Sequence, residues 1–383
     1  MADLTARASS MPSNASSEVA ITPRQVTAAV IGNALEFYDF TTYAYFAVQI
    51  GHAFFPGRNA FESLMLSLAT FGAGFFSRPV GAIVIGALAD RAGRKPAMLL
   101  SFSLMGLAIL GMALTPSYAT IGLAAPLLAL GFRLLQGFAL GGEVGATTAF
   151  LIEAAPAGRR GLYGGWQGAS QGLASLFGGL IGVGLSHWLS PHDLGAWGWR
   201  AAFLVGAAVL PIGLFIRRNL PETRHHVEAA NAAHPETPSL RGHLRIILLG
   251  FALVGSFTTA TYVFQYMTTY ASETLHMAAG VAFGATVVSG AAGLVFTLLG
   301  GILSDRFGRR ALVLIPRTLF LLATYPAFVL MVRNHDAVTL LTAVGLMGAL
   351  SSMSSGPGLI LLTESVRKEV RGLVLSTDRK SVV

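Results

Sequence analysis

The chain has 383 residues, of which 53% are hydrophobic and only 11% are charged, and its formal net charge is +8. A charged fraction far below the roughly 25% of soluble domains excludes an ordinary soluble protein and indicates a membrane protein. The basic residues lie in short loops between apolar segments, so membrane topology explains the positive charge better than nucleic-acid binding does. The absence of cysteine excludes disulfides and Cys-ligated metal.

Residues 1–25 are Ser-rich and lack an apolar core, which predicts a disordered tail and argues against a signal peptide. Apolar segments long enough to cross a bilayer follow along the chain. We predict ten helical spans, at 26–50, 62–89, 96–115, 120–145, 161–187, 196–216, 245–270, 279–303, 311–332 and 338–362. The polar segment 217–244 predicts a linker between a first bundle at 26–216 and a second bundle at 245–372.

The basic clusters predict the topology of these spans. They fall in loops on one side of the membrane: Arg91, Arg94 and Lys95; Arg159 and Arg160; Arg217, Arg218 and Arg224; Arg306, Arg309 and Arg310; Arg367, Lys368 and Arg371. Because positively charged loops remain in the cytoplasm, both termini are predicted to be cytoplasmic in a multi-pass protein of a bacterial inner membrane.

Two acids and two arginines gather near one depth of the first bundle: Glu36 and Asp39 in span one, Arg78 in span two and Arg133 in span four. Other polar side chains accompany them, namely Asn33 and Tyr43 in span one and Gln136 in span four, and Glu143 lies lower on span four. Ionisable groups in lipid persist mainly where they line a cavity or pair with one another. Two interpretations stay open: ion pairs that lock the helices together, or a transport site. In the second interpretation the two arginines bind an anion, and one of the acids, Glu36, Asp39 or Glu143, carries a proton.

Span seven of the second bundle carries a polar and aromatic stripe at spacings of three and four: Thr258, Thr261, Tyr262, Gln265, Tyr266, Thr269 and Tyr270. Tyr262, Gln265 and Tyr266 are candidate substrate contacts, and the alternative is a hydrogen-bonding seam between helices. Glycines interrupt spans four and ten, at Gly141-Gly142 and Gly356-Pro357-Gly358. They predict either broken helices at the binding site or close helix packing.

A loop string is repeated in the two halves, with Gly86, Asp90, Arg91, Gly93 and Arg94 in its first copy and Gly301, Asp305, Arg306, Gly308 and Arg309 in its second. Such a repeat predicts two parallel halves with the substrate bound between them. In each loop the carboxylate can meet a helix N-terminus or an arginine and hold a gate shut. No motif indicates catalysis, phosphate binding or a metal site, so the chain is not predicted to be an enzyme, no cofactor is predicted, and a proton gradient is the expected energy source.

The repeated loop resembles the signature loop of the major facilitator superfamily. Three further strings resemble its metabolite:proton symporter family: Gly32-Asn33-Ala-Leu-Glu36-Phe-Tyr-Asp39-Phe40, Phe76-Ser-Arg78-Pro79-Val-Gly81-Ala82, and Arg133-Leu-Leu-Gln136-Gly137 leading to Gly142-Glu143. Two other runs, 116–126 and 166–171, look closest to its citrate-proton branch. The resemblance implies an all-α membrane protein with the major facilitator fold, in which two six-helix bundles enclose the substrate.

The resemblance implies proton-coupled import of an organic acid, such as citrate, tricarballylate or a dicarboxylate, by a monomer in the lipid bilayer, with no nucleic-acid partner. The alternatives are a proline or betaine symporter and an efflux antiporter. About ten of the twelve family helices are visible in the sequence, and the charged run Asp378-Arg379-Lys380 near its end cannot continue an eleventh span. We therefore expect a second bundle of only four helices and an aberrant tail, as in a truncated or frame-shifted chain, and the alternative is a genuine ten-span protein.

Overall fold

The computed structural model describes residues 23–92, 94–141, 151, 155–156, 158–218 and 240–365. The regular structure in these residues is helical, which confirms the predicted all-α class. The helices are α1 (Pro23–Tyr45), α2 (Ala47–Phe54), α3 (Ala60–Ala92), α4 (Arg94–Leu114), α5 (Ala124–Leu140), α6 (Arg160–Trp188), α7 (Trp199–Arg218), α8 (Leu240–Thr269), α9 (Ala279–Phe307), α10 (Arg309–Asn334) and α11 (Ala337–Ser365). Short turns at Tyr118–Ile121, Pro191–Asp193, Leu194–Gly198 and Tyr270–Thr274 join some of them.

Six of the described helical segments are long and apolar enough to cross a membrane: Ala60–Leu88, Arg160–Trp188, Leu248–Thr274, Ala279–Phe307, Arg309–Asn334 and Ala337–Leu361. Two shorter apolar segments, Leu99–Leu114 and Ala124–Leu140, accompany them. A backbone buried in lipid must satisfy its own hydrogen bonds, and continuous helices do so within each segment.

Two of the predicted spans differ from the observed helices, one by an interruption and the other by a later start. Span one is interrupted at Phe46, where α1 gives way to α2. Span four begins later than predicted, because Gly122 takes a positive φ of 58° and separates the turn Tyr118–Ile121 from α5. Glycine adopts a positive φ without strain. Gly122 therefore terminates the short turn Tyr118–Ile121 before α5 begins at Ala124.

Of the two interpretations of the glycines in span ten, the broken helix is wrong, because α11 continues through Pro357 to Ser365. The neighbouring glycines instead allow close packing. A Cβ atom on Gly356 would lie 3.4 Å from the Cα of Gly165, and one on Gly358 would lie 2.4 Å from the ring of Phe257. At Gly141 of span four both interpretations remain, because α5 ends at Leu140 and a Cβ on Gly141 would lie 2.1 Å from the carbonyl oxygen of Arg78. Residues 142–150, which complete that span, lie outside the described residues.

The two halves meet along α6 and α9, which run side by side over their whole length. Gly161 of α6 faces Gly301 of α9 at one end, and Gly182 faces Phe283 at the other. Between them, a Cβ on Gly172 would lie 2.3 Å from the backbone nitrogen of Leu294. Because glycine has no side chain, the two helix backbones are in contact at these positions. Close backbone contact of this kind favours helix association in lipid.

Candidate functional site

A cavity of about 350 Å³ lies between the two halves. Helices α1, α3 and α6 of the first half and α8, α9 and α11 of the second half form its walls. Its polar lining is mostly neutral: Thr41, Tyr45, Gln167, Gln171, Ser175, Thr258, Thr261, Tyr262, Gln265, Ser289, Thr297, Ser351, Ser352 and Ser355. Arg78 is the only charged side chain among the described residues that line it. The cavity therefore offers a polar wall with one fixed positive charge.

Aromatic rings hold Arg78 in the cavity wall. Its guanidinium carbon lies 4.4 Å from the centre of the Phe75 ring and 4.8 Å from that of Phe40, within the range of cation–π contacts. The ring of Tyr262, from the second half, packs edge-on against Phe75 at 5.7 Å. No described residue accepts a hydrogen bond from the buried Nε of Arg78. Ring faces orient this guanidinium without using its N–H donors, so the donors are available to an anion.

Arg133 and Asp39 are joined through a third side chain rather than directly. Nη1 of Arg133 donates a hydrogen bond to Oε1 of Gln136, and Nε2 of Gln136 donates to Oδ2 of Asp39. All three residues are buried. Oδ1 of Asp39 and Nε and Nη2 of Arg133 have no hydrogen-bond partner among the described residues. A buried network left partly unsatisfied in this way is costly, which favours a functional role over a purely structural one.

An aromatic partition, formed by Phe40, Phe71 and Phe75, separates this network from the cavity. The guanidinium carbon of Arg133 lies 5.0 Å from the centre of the Phe40 ring and 4.4 Å from that of Phe71. Phe40 thus contacts both guanidinium groups, while the rings of the partition pack on each other at 4.8 to 5.8 Å. Among the network residues, none lines the cavity.

The other predicted substrate contacts divide between the cavity and its surroundings. Tyr262 and Gln265 line the cavity, whereas Tyr266 lines a separate shallow depression beside Phe328. Asn33 is buried and donates a hydrogen bond of 2.6 Å to Oγ of Ser170, which joins α1 to α6.

Two further residues of the predicted cluster are also away from the cavity wall. Tyr43 is buried, donates to the carbonyl oxygen of Ser67, and places its ring 4.6 Å from the guanidinium carbon of Arg133. Glu36 is buried on α1 and is absent from the cavity lining. Glu143 lies outside the described residues.

Sequence reasoning did not select the serines of α11 or Arg317 of α10. Ser351, Ser352 and Ser355 line the cavity, and Arg317 donates to Ser351. The signal for the serines was a hydroxyl-rich run inside an otherwise apolar span. The signal for Arg317 was an isolated charge in a span, which resembled a continuation of the preceding basic loop.

The second copy of the repeated loop makes both contacts that the sequence predicts for its carboxylate, with a helix N-terminus and with an arginine. Oδ1 of Asp305 accepts a hydrogen bond of 2.9 Å from the backbone N–H of Gly161, and Oδ2 accepts one of 3.2 Å from Leu162, in the first turn of α6. Arg309 donates to the same carboxylate at 2.8 Å. Gly308, with φ of 90°, lets α9 turn directly into α10, which brings Arg309 within reach.

Other residues of the predicted gating loops have fewer described contacts. Gly301 touches Gly161, Arg306 is exposed at the end of α9, and the surroundings of Gly86 and Arg91 are open. Gly93 and the side chains of Asp90 and Arg94 lie outside the described part of the chain. The gating role of both loops therefore stays a prediction.

Replacing Asp305 with alanine is expected to destabilise the contact between the halves, because two N–H groups of α6 lose their acceptor. Losses of this kind amount to about 0.5–2 kcal/mol. The purified Asp305→Ala chain should unfold at a lower temperature in detergent than the wild type. Arg310→Ala, which removes an exposed charge from the same loop, is the matched control. Equal melting temperatures for both variants would contradict the assignment.

Comparisons with known proteins agree with this architecture. The family described as Major Facilitator Superfamily matches residues 29–377. The citrate-proton symporter of Klebsiella pneumoniae is 38% identical over 348 residues, which cover 89% of this chain and 77% of that protein. The alpha-ketoglutarate permease of Escherichia coli strain K12 is 37% identical over 309 residues, which cover 79% of this chain and 70% of that protein.

A solved structure shows the same fold at low sequence identity. The xylose transporter XylE from E. coli, in a partially occluded inward open conformation, superposes with a TM-score of 0.74 at 18% identity. The match covers 94% of this chain and 89% of that one. The described helices therefore follow the arrangement of a multi-pass transporter fold.

Proposed function

Because the chain belongs to the Major Facilitator Superfamily, we propose that it is a proton-coupled symporter that imports a small organic acid by alternating access. The observation that carries the proposal is Arg78, a guanidinium held by aromatic rings in the wall of a neutral polar cavity between the two halves. The citrate-proton symporter and the alpha-ketoglutarate permease, its relatives, support an acid as the substrate.

The chemistry of the cavity favours a carboxylate. A guanidinium has a planar set of N–H donors that matches the two oxygens of a carboxylate, and it stays charged in a protein. The hydroxyl and amide groups around Arg78 can hydrogen-bond the rest of a polar acid. We place Arg78, Tyr262 and Gln265 in direct contact with the substrate, and Arg133 behind the aromatic partition as a source of positive potential.

The geometry favours Asp39 as the proton carrier, because hydrogen bonds through Gln136 link its carboxylate to the guanidinium of Arg133. Protonation of Asp39 removes the negative charge that compensates Arg133. The guanidinium carbons of Arg133 and Arg78 lie 5.0 and 4.8 Å from the same Phe40 ring centre, so they are no more than about 10 Å apart. With an effective dielectric constant of about 20, loss of one unit charge about 10 Å from a bound monoanion changes its binding energy by about 1.7 kcal/mol.

Proton binding therefore strengthens anion binding, and by reciprocity anion binding strengthens proton binding. An energy of about 1.7 kcal/mol corresponds to a coupling of more than tenfold in affinity. Such coupling makes the doubly loaded carrier the favoured species, which is the thermodynamic requirement of symport. The proton gradient then drives accumulation of the acid.

The proposed topology places the loops that carry Arg91 and Arg306 in the cytoplasm, with α1 starting there. The protein would function as a monomer in a bacterial inner membrane, since the cavity is formed by the two halves of one chain. No cofactor enters the proposal, and substrate and protons are its only small-molecule partners.

A zwitterion symporter is the second candidate, because the proline/betaine transporter of E. coli strain K12 is 32% identical over 342 residues. A zwitterion needs a carboxylate or an open aromatic face for its cation. No carboxylate lines the cavity among the described residues, although the rings of Phe37, Phe257 and Phe264 do. Arg78 repels a cationic group on the substrate, so an anion without one fits the cavity better.

Replacing Arg78 is expected to weaken acid binding, because a charge-assisted pair of hydrogen bonds is lost. Such a contact is worth about 1.5–3 kcal/mol, so Arg78→Gln should lower the affinity roughly 10- to 150-fold. Arg78→Lys keeps the charge without the planar fork and should recover only part of the loss. The measurement is uptake of labelled citrate, 2-oxoglutarate, proline and betaine by liposomes containing the 383-residue chain, driven by an inward proton gradient. Uptake of proline or betaine alone would reject the acid symporter in favour of the second candidate.

A further inference from the structure

Helix α10 carries an isolated charge, Arg317, within the second half. The sequence contains no charged residue in segments 246–272, 281–304 and 337–363, and Arg317 is the only one in segment 311–332. A charged side chain inside a membrane span is expensive and usually marks a substrate or ion pathway. Arg317 is therefore the main electrostatic feature of these spans.

Neutral groups hold the guanidinium of Arg317. Its Nη1 donates to Oγ of Ser351 at 3.2 Å, its Nη2 donates to Oγ of Ser256 at 2.7 Å, and Nη2 also donates to the carbonyl oxygen of Ser256. The guanidinium carbon lies 4.6 Å from the ring centre of Phe257 and 5.1 Å from that of Phe320. No described carboxylate forms an ion pair with it. Its contacts orient the charge but do not neutralise it.

Two of these contacts also line the cavity. Ser351 and Phe257 belong both to the cavity wall and to the surroundings of Arg317. The guanidinium is therefore linked to the cavity wall through the hydroxyl group of Ser351. It approaches from the second half, whereas Arg78 belongs to the first half. Because Oγ of Ser351 accepts from Arg317, its own O–H can donate toward the cavity, and a hydrogen bond polarised in this way is strengthened.

We propose that Ser351, polarised by Arg317, forms a second carboxylate subsite across the cavity from Arg78. The inference rests on the proposed function and narrows its substrate class to acids with at least two carboxylates. One carboxylate contacts Arg78 in the first half, and another contacts Ser351 in the second half, next to Ser352 and Ser355. Arg317 is a positioning residue in this arrangement, since it acts on the substrate through Ser351. A substrate that contacts both halves also stabilises the conformation in which the halves are closed around it.

The test compares acids that differ in the number of carboxylates: tricarballylate, glutarate and butanoate. Liposomes containing the 383-residue chain are used to measure KM and kcat, or inhibition constants, for each acid. The wild type should favour the two multivalent acids over butanoate. In Arg317→Gln and in Ser351→Ala this preference should shrink about tenfold, through KM, with butanoate affinity unchanged. Arg317→Lys should restore part of the preference, because it restores the charge.

Arg200→Gln is the matched control. Arg200 also stacks on an aromatic ring, Trp199 at 4.2 Å, and donates to the backbone oxygens of Ala196 and Thr115, but it does not line the cavity. An unchanged preference in a stable Arg317→Gln chain, or an equal loss for all three acids, would overturn the subsite. If Arg317→Gln does not fold, Ser351→Ala decides by the same criterion. Failure of the proposed function is separate, since the wild type would then take up none of the acids.

Discussion

Asp39→Asn is expected to abolish proton-driven accumulation of the acid while leaving exchange of labelled for unlabelled acid across the membrane intact. The amide cannot take up or release a proton, yet it still offers an oxygen to the Nε2 donor of Gln136, so the buried network keeps its shape. Loss of the negative charge leaves Arg133 permanently uncompensated, which imitates the protonated carrier. The internal concentration should therefore stop at equilibrium with the outside, and acid affinity should lose its dependence on pH.

The measurement has two parts, uphill uptake under an inward proton gradient and counterflow without one. Wild-type affinity for the acid should rise as the pH falls, because protonation of Asp39 increases the positive potential behind the partition. Asp193→Asn, which removes an exposed carboxylate that bonds to Ser190, is the control and should behave as wild type. Glu36→Gln discriminates between the two buried acids of α1. Uphill uptake that survives Asp39→Asn and fails in Glu36→Gln would move the proton to Glu36.

The fold was predictable from the sequence because lipid imposes simple rules on it. Long apolar spans, basic loops and the repeated string with Asp90 and Asp305 predicted helical halves, and the helices follow those spans. The errors concern backbone detail. Gly122 has a positive φ, and α5 begins only after it. The Gly-Pro-Gly run of α11 remains helical, and its glycines allow close contacts with neighbouring helices. The sequence alone does not distinguish a glycine that interrupts a helix from one that allows close contact with a neighbouring helix.

The candidate site was only partly predictable. Arg78, Arg133 and Asp39 were easy to find, since ionised groups are rare in apolar spans. Which of them faces the cavity depends on side-chain rotamers and helix rotation, and Phe40 separates the two arginines in a way that no spacing reveals.

The serines of α11 were missed for a different reason. A hydroxyl in a membrane helix can bond to its own backbone, so it carries little signal; Ser354 bonds to the carbonyl oxygen of Ser351 in this way. Arg317 was missed because it follows a basic loop closely enough to resemble a side chain that reaches back to the interface. Its role became visible only from its contact with Ser351.

The contact between α6 and α9 predicts the largest effect of a substitution remote from the charged groups. Gly172→Leu is expected to impair transport strongly, because its Cβ alone would lie 2.3 Å from the nitrogen of Leu294 and 2.6 Å from the carbonyl carbon of Gly293. Backbone atoms cannot yield as a flexible side chain can, so the two helices must separate. Overpacking of this kind costs about 1–3 kcal/mol or more. Transport should fall at least tenfold, and the melting temperature in detergent should fall with it.

Gly184, on the same helix, provides the matched control, since a Cβ at that position meets nothing within 4 Å. Gly184→Ala should transport as wild type and gain up to about 1 kcal/mol of helix stability, because alanine favours a helix over glycine. Gly172→Ala tests the geometry with the smallest possible change and should already lower transport. A chain with normal transport and normal melting temperature after Gly172→Leu would show that α6 and α9 do not approach as closely during the transport cycle as they do in this structure. The close approach would then not be required for the two halves to move against each other around the cavity.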